Sequence, residues 1–365
     1  MTRNDNACAT SSSPNSENLR IDFYESGRGD TIVVTFPGGG VGVIDAHPSP
    51  SKSRPGILEI IGERALHFVC LTHPHADHGV DLVPLLRAPR KPDAFWHTTS
   101  DINPFVYRLG ESVNFPSDQG GRAREMAEGW ANFHIDIWGA VVERDIPQRR
   151  LRAGLEPVTI NGVDVHVLSP EEHIHDRFFK YWMKKASDPR NEPPDLNTLS
   201  AILALRFGES VVLLGADALR ENWRDAAKRY RKHELPKAIV LKVPHHGARN
   251  AIDLNPHSKK PTYFDLCRHD ADLKCHAVLF AGDSRHPDPK VQEKLKARTR
   301  LFCLSNGIAS APTVANPLGI EIEGARAVRR NIPVCNPVVS FEILKTGEVK
   351  VLAGGSCEDC PHLKS

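Results

Sequence analysis

The stretch that decides the fold reads Thr72-His73-Pro74-His75-Ala76-Asp77-His78-Gly79, an H-x-H-x-D-H pattern followed at once by glycine. Four of its side chains can bind a metal ion, and they lie within six positions. The apolar run 66–71 before it is typical of a buried strand, and residues 80–86 after it begin like a helix. Imidazole and carboxylate groups suit zinc, manganese or iron. The pattern therefore predicts a metal site on a strand-to-helix loop.

The composition is that of a globular protein, with 40% hydrophobic and 25% charged residues over 365 positions. No window approaches the roughly 18 apolar residues of a membrane span, and the first residues lack the apolar centre of a secretory signal. We therefore expect a cytoplasmic protein with no membrane partner. The 8 cysteines are expected to be free thiols. For the Cys357 and Cys360 pair, an inert tail is favoured over a zinc site.

The charge pattern says little about partners. The formal net charge of +2 gives no general attraction to nucleic acid. Basic runs occur at 149–152, 228–232, 294–300 and 326–330. Such runs are most often solvated helix faces, so they give only weak support for a polyanionic substrate.

Hairpins are indicated at four places along the chain. The strand pairs are 31–36 with 41–46, 158–160 with 163–170, 199–207 with 210–214, and the two halves of 338–352. The second pair turns at Asn161-Gly162, which is the strongest short hairpin signal. A polar connection follows at 171–196, and we interpret His173 and His175 in it as loop residues, because no apolar strand precedes them.

Three of the predicted strands end in side chains that carry chemistry. Asp45 lies at the end of the strand 41–46, and Asp217 closes the strand 210–214. The strand 238–243 ends in Pro244-His245-His246-Gly247, again delivering histidine to a loop.

Together these motifs resemble the metallo-β-lactamase superfamily, and within it the freestanding relatives of the ComEC competence-protein hydrolase domain. Four motifs of that group have matches here in the right order: V-x-V-L-x-P at 165–170, N-x-x-S at 197–200, L-L-x-x-D at 213–217 and L-K-V-P-H-H-G at 241–247. The resemblance implies an α+β fold, a four-layer αββα sandwich with a helical insertion at about 100–155. It also implies three segments: a disordered tail at 1–18, a hydrolase domain at 19–352 and a C-terminal tail at 353–365.

The resemblance further implies two divalent metal ions, Zn²⁺ or Mn²⁺. By position, His73 and His75 would hold the first ion, and Asp77, His78 and His246 the second, with Asp217 bridging them. His245 would lie beside them as a proton donor or phosphate contact, so that Asp77, Asp217 and His245 form the catalytic set. Asp45 would orient the metal loop by hydrogen bonds without binding metal, although a strand-end turn is an equally good interpretation.

Two further residues are candidates for the site. Asn197 stands where the superfamily has a third-motif histidine, and an amide oxygen is a weak ligand for zinc, so the first ion is expected to be loosely held or to be manganese. His286 precedes the predicted helix 290–298 and is a candidate for the mouth of the site, with an ordinary turn residue as the equal alternative.

The function implied is that of a metal-dependent hydrolase acting through a metal-activated water, with DNA or RNA phosphodiesters as the first candidate substrates. The enzyme alternative is a small-molecule ester hydrolase, acting on a phosphorylcholine ester, a cyclic nucleotide or a lactone. The non-enzymatic alternative is a metal-stabilised subunit of a multiprotein system. Substrate, native metal, cleavage polarity and oligomeric state stay open at this stage.

Overall fold

The computed structural model describes nine stretches of the chain: residues 17–26, 29–49, 54–99, 121–185, 195–255, 257–270, 273–280, 286–304 and 338–354. The basic run 326–330 and the cysteine pair of the tail lie outside the described residues.

The described strands form two sheets. The first has the order β15-β14-β1-β2-β3-β4-β5-β6 and the second the order β13-β12-β11-β10-β9-β8-β7. The strands of the first sheet are β1 (Leu19–Tyr24), β2 (Ile32–Thr35), β3 (Val41–Ile44), β4 (Leu66–Leu71), β5 (Ala94–His97), β6 (Gln148–Arg150), β14 (Val338–Ile343) and β15 (Val349–Ala353). Those of the second are β7 (Val158–Ile160), β8 (Val163–Ser169), β9 (Ile202–Phe207), β10 (Ser210–Leu214), β11 (Val240–Lys242), β12 (Cys275–Phe280) and β13 (Thr299–Leu304).

Helices cover the outer faces of both sheets. The α-helices among the described residues are α1 (Ile57–Ile61), α2 (Leu82–Arg87), α3 (Gly121–Glu143), α4 (Glu172–Lys185), α5 (Arg220–Lys232) and α6 (Pro289–Arg298). Short 3₁₀ helices lie at Ala76–His78, Leu196–Leu199, Pro244–Gly247, Arg249–Ala251 and Tyr263–Leu266. Residues of α1, α2 and α3 pack on the first sheet, and residues of α5 and α6 pack on the second.

The core has three apolar layers because side chains alternate across each strand. In β10, Val212 and Leu214 point into the layer between the sheets, whereas Val211 and Leu213 point to the layer under α5. The same alternation in β4 divides Phe68 from Val69. Burying both faces of both sheets requires helices outside them, so the predicted αββα sandwich is confirmed.

The predicted hairpins are present with antiparallel register between β2 and β3, β7 and β8, β9 and β10, and β14 and β15. Asn161 and Gly162 turn with φ of 49° and 81°, the left-handed backbone that a two-residue hairpin requires. The structure differs from expectation at two places. His173 and His175 lie in the first turn of α4 and not in a loop. Within the expected insertion, the helix α3 is followed by β6, which adds a strand to the first sheet.

The reason for the α4 difference is its apolar face, which a search for strand periodicity missed. Ile174 and Phe178 are spaced four apart and pack on Leu199. His175 is buried beside them, and burial together with nearby Arg150 lowers its pKa from 6.5 to about 4. His173, two residues earlier, is exposed.

Buried His175 should make the fold sensitive to acid. Its pKa in the folded chain is below its unfolded value of about 6.5, so the unfolded chain binds more protons between these values. The contribution of neutral His175 to the free energy of unfolding should be complete above about pH 6.5 and should be lost as the pH drops toward 4. His175→Leu should reduce the loss measured between pH 7 and pH 5 by about 1 to 2 kcal/mol.

Urea unfolding at the two pH values measures this loss, and His173→Leu on the same helix is the matched control. An equal pH dependence in both variants would contradict the assignment of the acid sensitivity to His175.

None of the helices in the described ranges is long and apolar enough to cross a membrane. Cys70, Cys267 and Cys275 are buried free thiols, as expected for those positions, and Cys303 is also buried.

Candidate metal centre

The strand ends that carry candidate residues meet at one edge of the sandwich. The pair β3 and β4 is parallel, and so is the pair β10 and β11, so each pair delivers its carboxyl ends to the same side. The Ala201 amide donates to the Thr72 carbonyl at 2.9 Å, which joins the start of β9 in the second sheet to the metal loop in the first. The H-x-H-x-D-H loop therefore faces Asp217 and the two histidines after β11.

Asp45 holds the metal loop through three hydrogen bonds. Its carboxylate accepts from the Thr72 amide at 2.8 Å, from the Thr72 hydroxyl at 2.6 Å and from His78 Nδ1 at 2.8 Å. Because the Thr72 hydroxyl donates to Asp45, its oxygen is free to accept from His73 Nδ1 at 3.2 Å. In both rings Nδ1 then carries the hydrogen, and Nε2 is left to bind elsewhere.

Asp217, the residue predicted to bridge two ions, is buried between two imidazoles. Its Oδ2 lies 3.6 Å from His78 Nε2 and 3.6 Å from His246 Nε2. His246 donates its Nδ1 hydrogen to the Phe280 carbonyl at 3.2 Å, which turns Nε2 toward Asp217. One carboxylate oxygen is therefore approached by two ring nitrogens whose other nitrogens are already bonded.

The first pair of histidines converges in the same way. His73 Nε2 lies 3.0 Å from His75 Nδ1. Ligand atoms of His73, His78 and Asp217 all lie within 4.8 Å of one another, and all three residues are buried. A second buried group with this spacing consists of Asp30, Asp45 and His78.

Other predicted residues lie near this cluster without entering it. Asp77 is half-buried, and its carboxylate acts on the neighbouring His75 ring by opposing the lowering of its pKa. The rings of His245 and His286 have centroids 5.7 Å apart, so the two histidines form a pair beside the cluster. Neither belongs to a group of ligand atoms within 4.8 Å among the described residues.

The turn that presents His245 and His246 has an unusual backbone. Three consecutive residues, His245, His246 and Gly247, have φ of 46°, 51° and 76°. Left-handed backbone costs a non-glycine residue about 1 to 2 kcal/mol. A side chain on Gly247 would also stand 2.8 Å from the Pro287 Cβ. The sequence H-H-G thus follows from a turn that bends two histidines back toward Asp217, and such local strain is common at functional sites.

Two residues of the centre were missed from the sequence, Lys242 and Asp30. Lys242 is fully buried, and its ammonium group forms an ion pair with Asp30, lies 3.4 Å from Asp217 Oδ1 and donates to the Ala216 carbonyl at 2.8 Å. Burial would lower the pKa of Lys242, but Asp30 and Asp217 outweigh burial and raise that pKa. The available signal for Lys242 was its place inside an otherwise apolar strand. Nothing in the sequence indicates that Asp30 pairs with Lys242.

The charges of the cluster are coupled. Burial would raise the pKa of Asp217, but His246, His78 and Lys242 outweigh burial and hold that pKa well below its usual range. Burial would lower the pKa of His78, but Asp217 and Asp45 hold it well above the usual value. The His73 pKa is lowered, chiefly by burial, and so is that of His75. Neutral rings are the form that binds metal, and a cation entering beside His78 must displace its proton.

The helix α3 supports the loop from outside. Its His134 donates Nε2–H to the Pro74 carbonyl at 3.1 Å and is buried. Burial is the main cause that lowers the His134 pKa to about 4, so the ring is neutral at pH 7 and has one hydrogen to donate. Phe133 packs so closely on Gly79 that an added Cβ would lie 2.4 Å from its ring. Gly79 is therefore required where the helix meets the loop.

Asn197 lies in the 3₁₀ helix just before Ala201, and this helix is tied to the metal loop through Thr72. The backbone amide of Asn197 donates a hydrogen bond to Asp195 Oδ1 at 2.9 Å. Its side-chain oxygen is buried and has no hydrogen-bond partner among the described residues. A ligand role for this oxygen stays a prediction.

Metal titration of Asn197→His tests that role. We expect two affinities in the unaltered protein, the weaker belonging to the His73 and His75 side, and the substitution should tighten it toward zinc by adding a nitrogen donor. A substitution that lowers stability and leaves both affinities unchanged would instead indicate that Asn197 only caps the helix start.

The donor set fits divalent metal ions. Imidazole nitrogens with their second nitrogen bonded to a carboxylate, hydroxyl or carbonyl are oriented as metal ligands usually are. Four histidines and one carboxylate are the nitrogen and oxygen donors that zinc and manganese accept. His73, His75, His78, His246 and Asp217 are therefore the residues that would hold such ions.

No protein-family model matches the sequence, and no curated protein matches it. Among solved structures, the chain is similar to a mutant of the CmlA β-hydroxylase, with a TM-score of 0.42 and 14% identity over 80% of this chain and 53% of that one. It is similar to Igni18, a metallo hydrolase from the archaeon Ignicoccus hospitalis, with a TM-score of 0.40 and 14% identity over 78% and 95%. A diphosphatase of the PhnP family gives a TM-score of 0.34, with 14% identity over 78% and 94%.

TM-scores below 0.5 are too low to assign the activity of those proteins to this one. The chain also spans only about half of the CmlA protein. The fold and the metal centre described above rest on the strand order and contacts of this chain alone.

Proposed function

We propose that this protein is a metal-dependent hydrolase of phosphodiesters, with DNA or RNA as the first candidate substrates. The observation that carries the proposal is the convergence of His78 Nε2 and His246 Nε2 on one oxygen of Asp217, all three buried, beside the His73 and His75 pair. Bound there, divalent ions would lower the pKa of water and neutralise charge on the attacked group.

The residues of the chain would act as follows. Asp45 holds Nδ1 of His78 directly and Nδ1 of His73 through the Thr72 hydroxyl, so that Nε2 is the atom each ring would offer to a metal, in His78 after its proton is displaced. His246, His78 and Lys242 together hold the pKa of Asp217 well below its usual range, and Lys242 also holds the carboxylate in place. Asp77, half-buried next to His75, is the candidate to accept a proton from water. In this step the water oxygen would form a bond to phosphorus and the bond from phosphorus to the leaving oxygen would break. The proton that Asp77 takes from water would pass to that oxygen, which leaves as an alcohol.

His245 is better suited to hold a phosphate than to donate a proton. Burial is the main cause that lowers its pKa, so at neutral pH the ring is uncharged. Its Nδ1 is buried, which leaves Nε2 as the atom that can meet a substrate. A neutral Nε2–H can donate a hydrogen bond to a phosphate oxygen, and His286 beside it can do the same.

A substrate panel tests the proposal. Linear DNA, circular DNA, RNA and bis(p-nitrophenyl) phosphate are incubated with the protein and Mn²⁺ or Zn²⁺, before and after chelation. We expect hydrolysis of at least one phosphodiester that chelation abolishes and metal restores. Hydrolysis of bis(p-nitrophenyl) phosphate alone would replace the nucleic-acid substrate with the small-molecule alternative. Metal binding with no turnover of any substrate would favour the non-catalytic subunit.

A further inference from the structure

A large basic cavity lies in the second sheet's outer layer, away from the metal centre. It is open to solvent, has a volume of about 1150 Å³ and is lined by residues of α5, α6 and the stretches 252–255 and 258–270. Pockets for a single small ligand usually fall in the range of roughly 300 to 1,000 Å³. The cavity therefore has room for a longer ligand.

Its lining is strongly cationic. Seven lining residues are lysine or arginine and three are aspartate. The seven cations are Arg231, Lys237, Lys259, Lys260, Arg268, Lys294 and Arg298. Arg231 belongs to the basic run 228–232, and Lys294 and Arg298 belong to the run 294–300. The fold thus brings two basic runs that are distant in the sequence to one cavity. Runs that served only as solvated helix faces would not need to meet.

The three aspartates offset only part of the charge of the seven cations, and two of them are hydrogen-bonded within the loop. Asp253 accepts from the Asn255 amide at 3.1 Å and from the Ser258 hydroxyl at 2.7 Å. Asp265 accepts from the amide and the hydroxyl of Thr262 at 2.6 and 3.1 Å. Among the described residues, Arg231, Lys259, Lys260 and Lys294 have no ion-pair partner. The cavity therefore presents a surplus of positive charge to solvent.

The cavity lies at the opposite end of the second sheet from the metal centre. Arg268 donates its amide hydrogen to the Ala238 carbonyl, which precedes β11, whereas His245 and His246 follow the carboxyl end of β11. The chain from Lys237, which also lines the cavity, to His245 spans about 25 Å at roughly 3.3 Å per residue. At about 3.4 Å per stacked nucleotide, a strand would need about seven nucleotides to reach both places.

We propose that this cavity binds the phosphate backbone of a nucleic-acid strand whose other part reaches the metal centre. The charge surplus fits a row of phosphates, and the volume and distance fit a strand better than a single nucleotide. Its binding role is independent of catalysis, whereas its effect on turnover rests on the proposed function. The cavity would favour long substrates over short ones.

The test compares a cavity variant, Lys260→Gln/Lys294→Gln/Arg298→Gln, with a control of equal charge loss, Arg87→Gln/Arg90→Gln/Lys350→Gln. The control cations are surface residues already paired with Asp136, Glu63 and Glu342. Equal melting temperatures establish that both variants are folded. Binding of fluorescent 20-nucleotide and 4-nucleotide strands is measured by anisotropy in the presence of chelator, at 50 and 200 mM salt.

We expect the cavity variant to bind the 20-nucleotide strand about 5 to 100-fold more weakly than the control does, since each exposed ionic contact contributes modestly. Its slope of log K against log salt should be smaller by about 2, at roughly 0.7 per lost phosphate contact on a single strand. The short strand should bind weakly to both variants. Equal weakening in both variants, or binding of inorganic polyphosphate with none of nucleic acid, would overturn the proposal.

Turnover separates this proposal from the proposed function. If the protein cleaves nucleic acid, the cavity variant should raise KM for the long strand and leave turnover of bis(p-nitrophenyl) phosphate unchanged. If no nucleic acid is cleaved while the anisotropy result holds, the binding site stands and the nuclease assignment fails.

Discussion

Asp217→Ala is expected to remove at least one equivalent of bound metal and to lower phosphodiester hydrolysis by more than roughly 100-fold. The side chain lies 3.6 Å from both His78 Nε2 and His246 Nε2, so its loss takes away the group on which both rings converge. It also leaves Lys242 without one of its two carboxylate neighbours. Mutation of a residue that merely orients metal ligands typically lowers metal affinity or activity by about 10 to 100-fold, so the loss of a bridging residue should exceed that range.

The comparison that decides it is Asp45→Ala. Asp45 is as buried as Asp217, but its hydrogen bonds go to Thr72 and to the Nδ1 atom of His78 that faces away from Asp217. Its replacement should stay within the 10 to 100-fold range and retain most of the metal. Metal content and rate are measured for both variants after their folded state is checked. Equal metal content in Asp217→Ala and the unaltered protein would show that Asp217 does not bridge.

Lys242→Met is expected to destabilise the fold by about 3 to 5 kcal/mol, the usual cost of removing one partner from a buried ion pair. The ammonium group lies between Asp30 and Asp217, and all three residues are buried. Without it, two carboxylates remain in the interior with less positive charge to oppose them. A bound cation would replace part of the lost positive charge, so added Zn²⁺ or Mn²⁺ should recover part of the lost stability.

The double variant Lys242→Met/Asp30→Asn separates structure from positioning. Removing the opposing charge should restore much of the free energy of unfolding, because the uncompensated Asp30 carboxylate is then gone. Activity should stay low if Lys242 also positions Asp217. Urea unfolding and steady-state rates measure the two effects. A single Lys242→Met variant with unchanged stability would contradict the buried ion pair, and a fully active double variant would contradict the positioning role.

Most of the fold could be predicted because its signals are local. Asn161-Gly162 can form a tight turn almost regardless of what surrounds it, since the left-handed backbone is a property of those residues. The H-x-H-x-D-H loop lies between a buried strand and a short helix, as its flanking hydrophobicity indicated. The error at His175 came from reading the segment for strand periodicity when its apolar residues were spaced for a helix.

The metal centre could be predicted only in part. The loop residues and the strand-end positions of Asp45, Asp217 and His246 were evident from their order along the chain. That His78 turns Nδ1 to Asp45 and Nε2 to Asp217 depends on contacts between residues far apart in sequence. Spacing along one chain carries no information on such orientations, because they are set by how the two sheets pack.

The sequence by itself determined most of the strands and turns and the residues that can bind a metal, since backbone preference and donor chemistry belong to the residues themselves. Only the tertiary structure decided that Lys242 is buried against Asp30, and that two basic runs line one cavity. The physical reason is that burial and charge pairing arise when distant segments meet. From the sequence alone, a lysine is expected at the surface. When the packed sheets bury it, its charge must be paired.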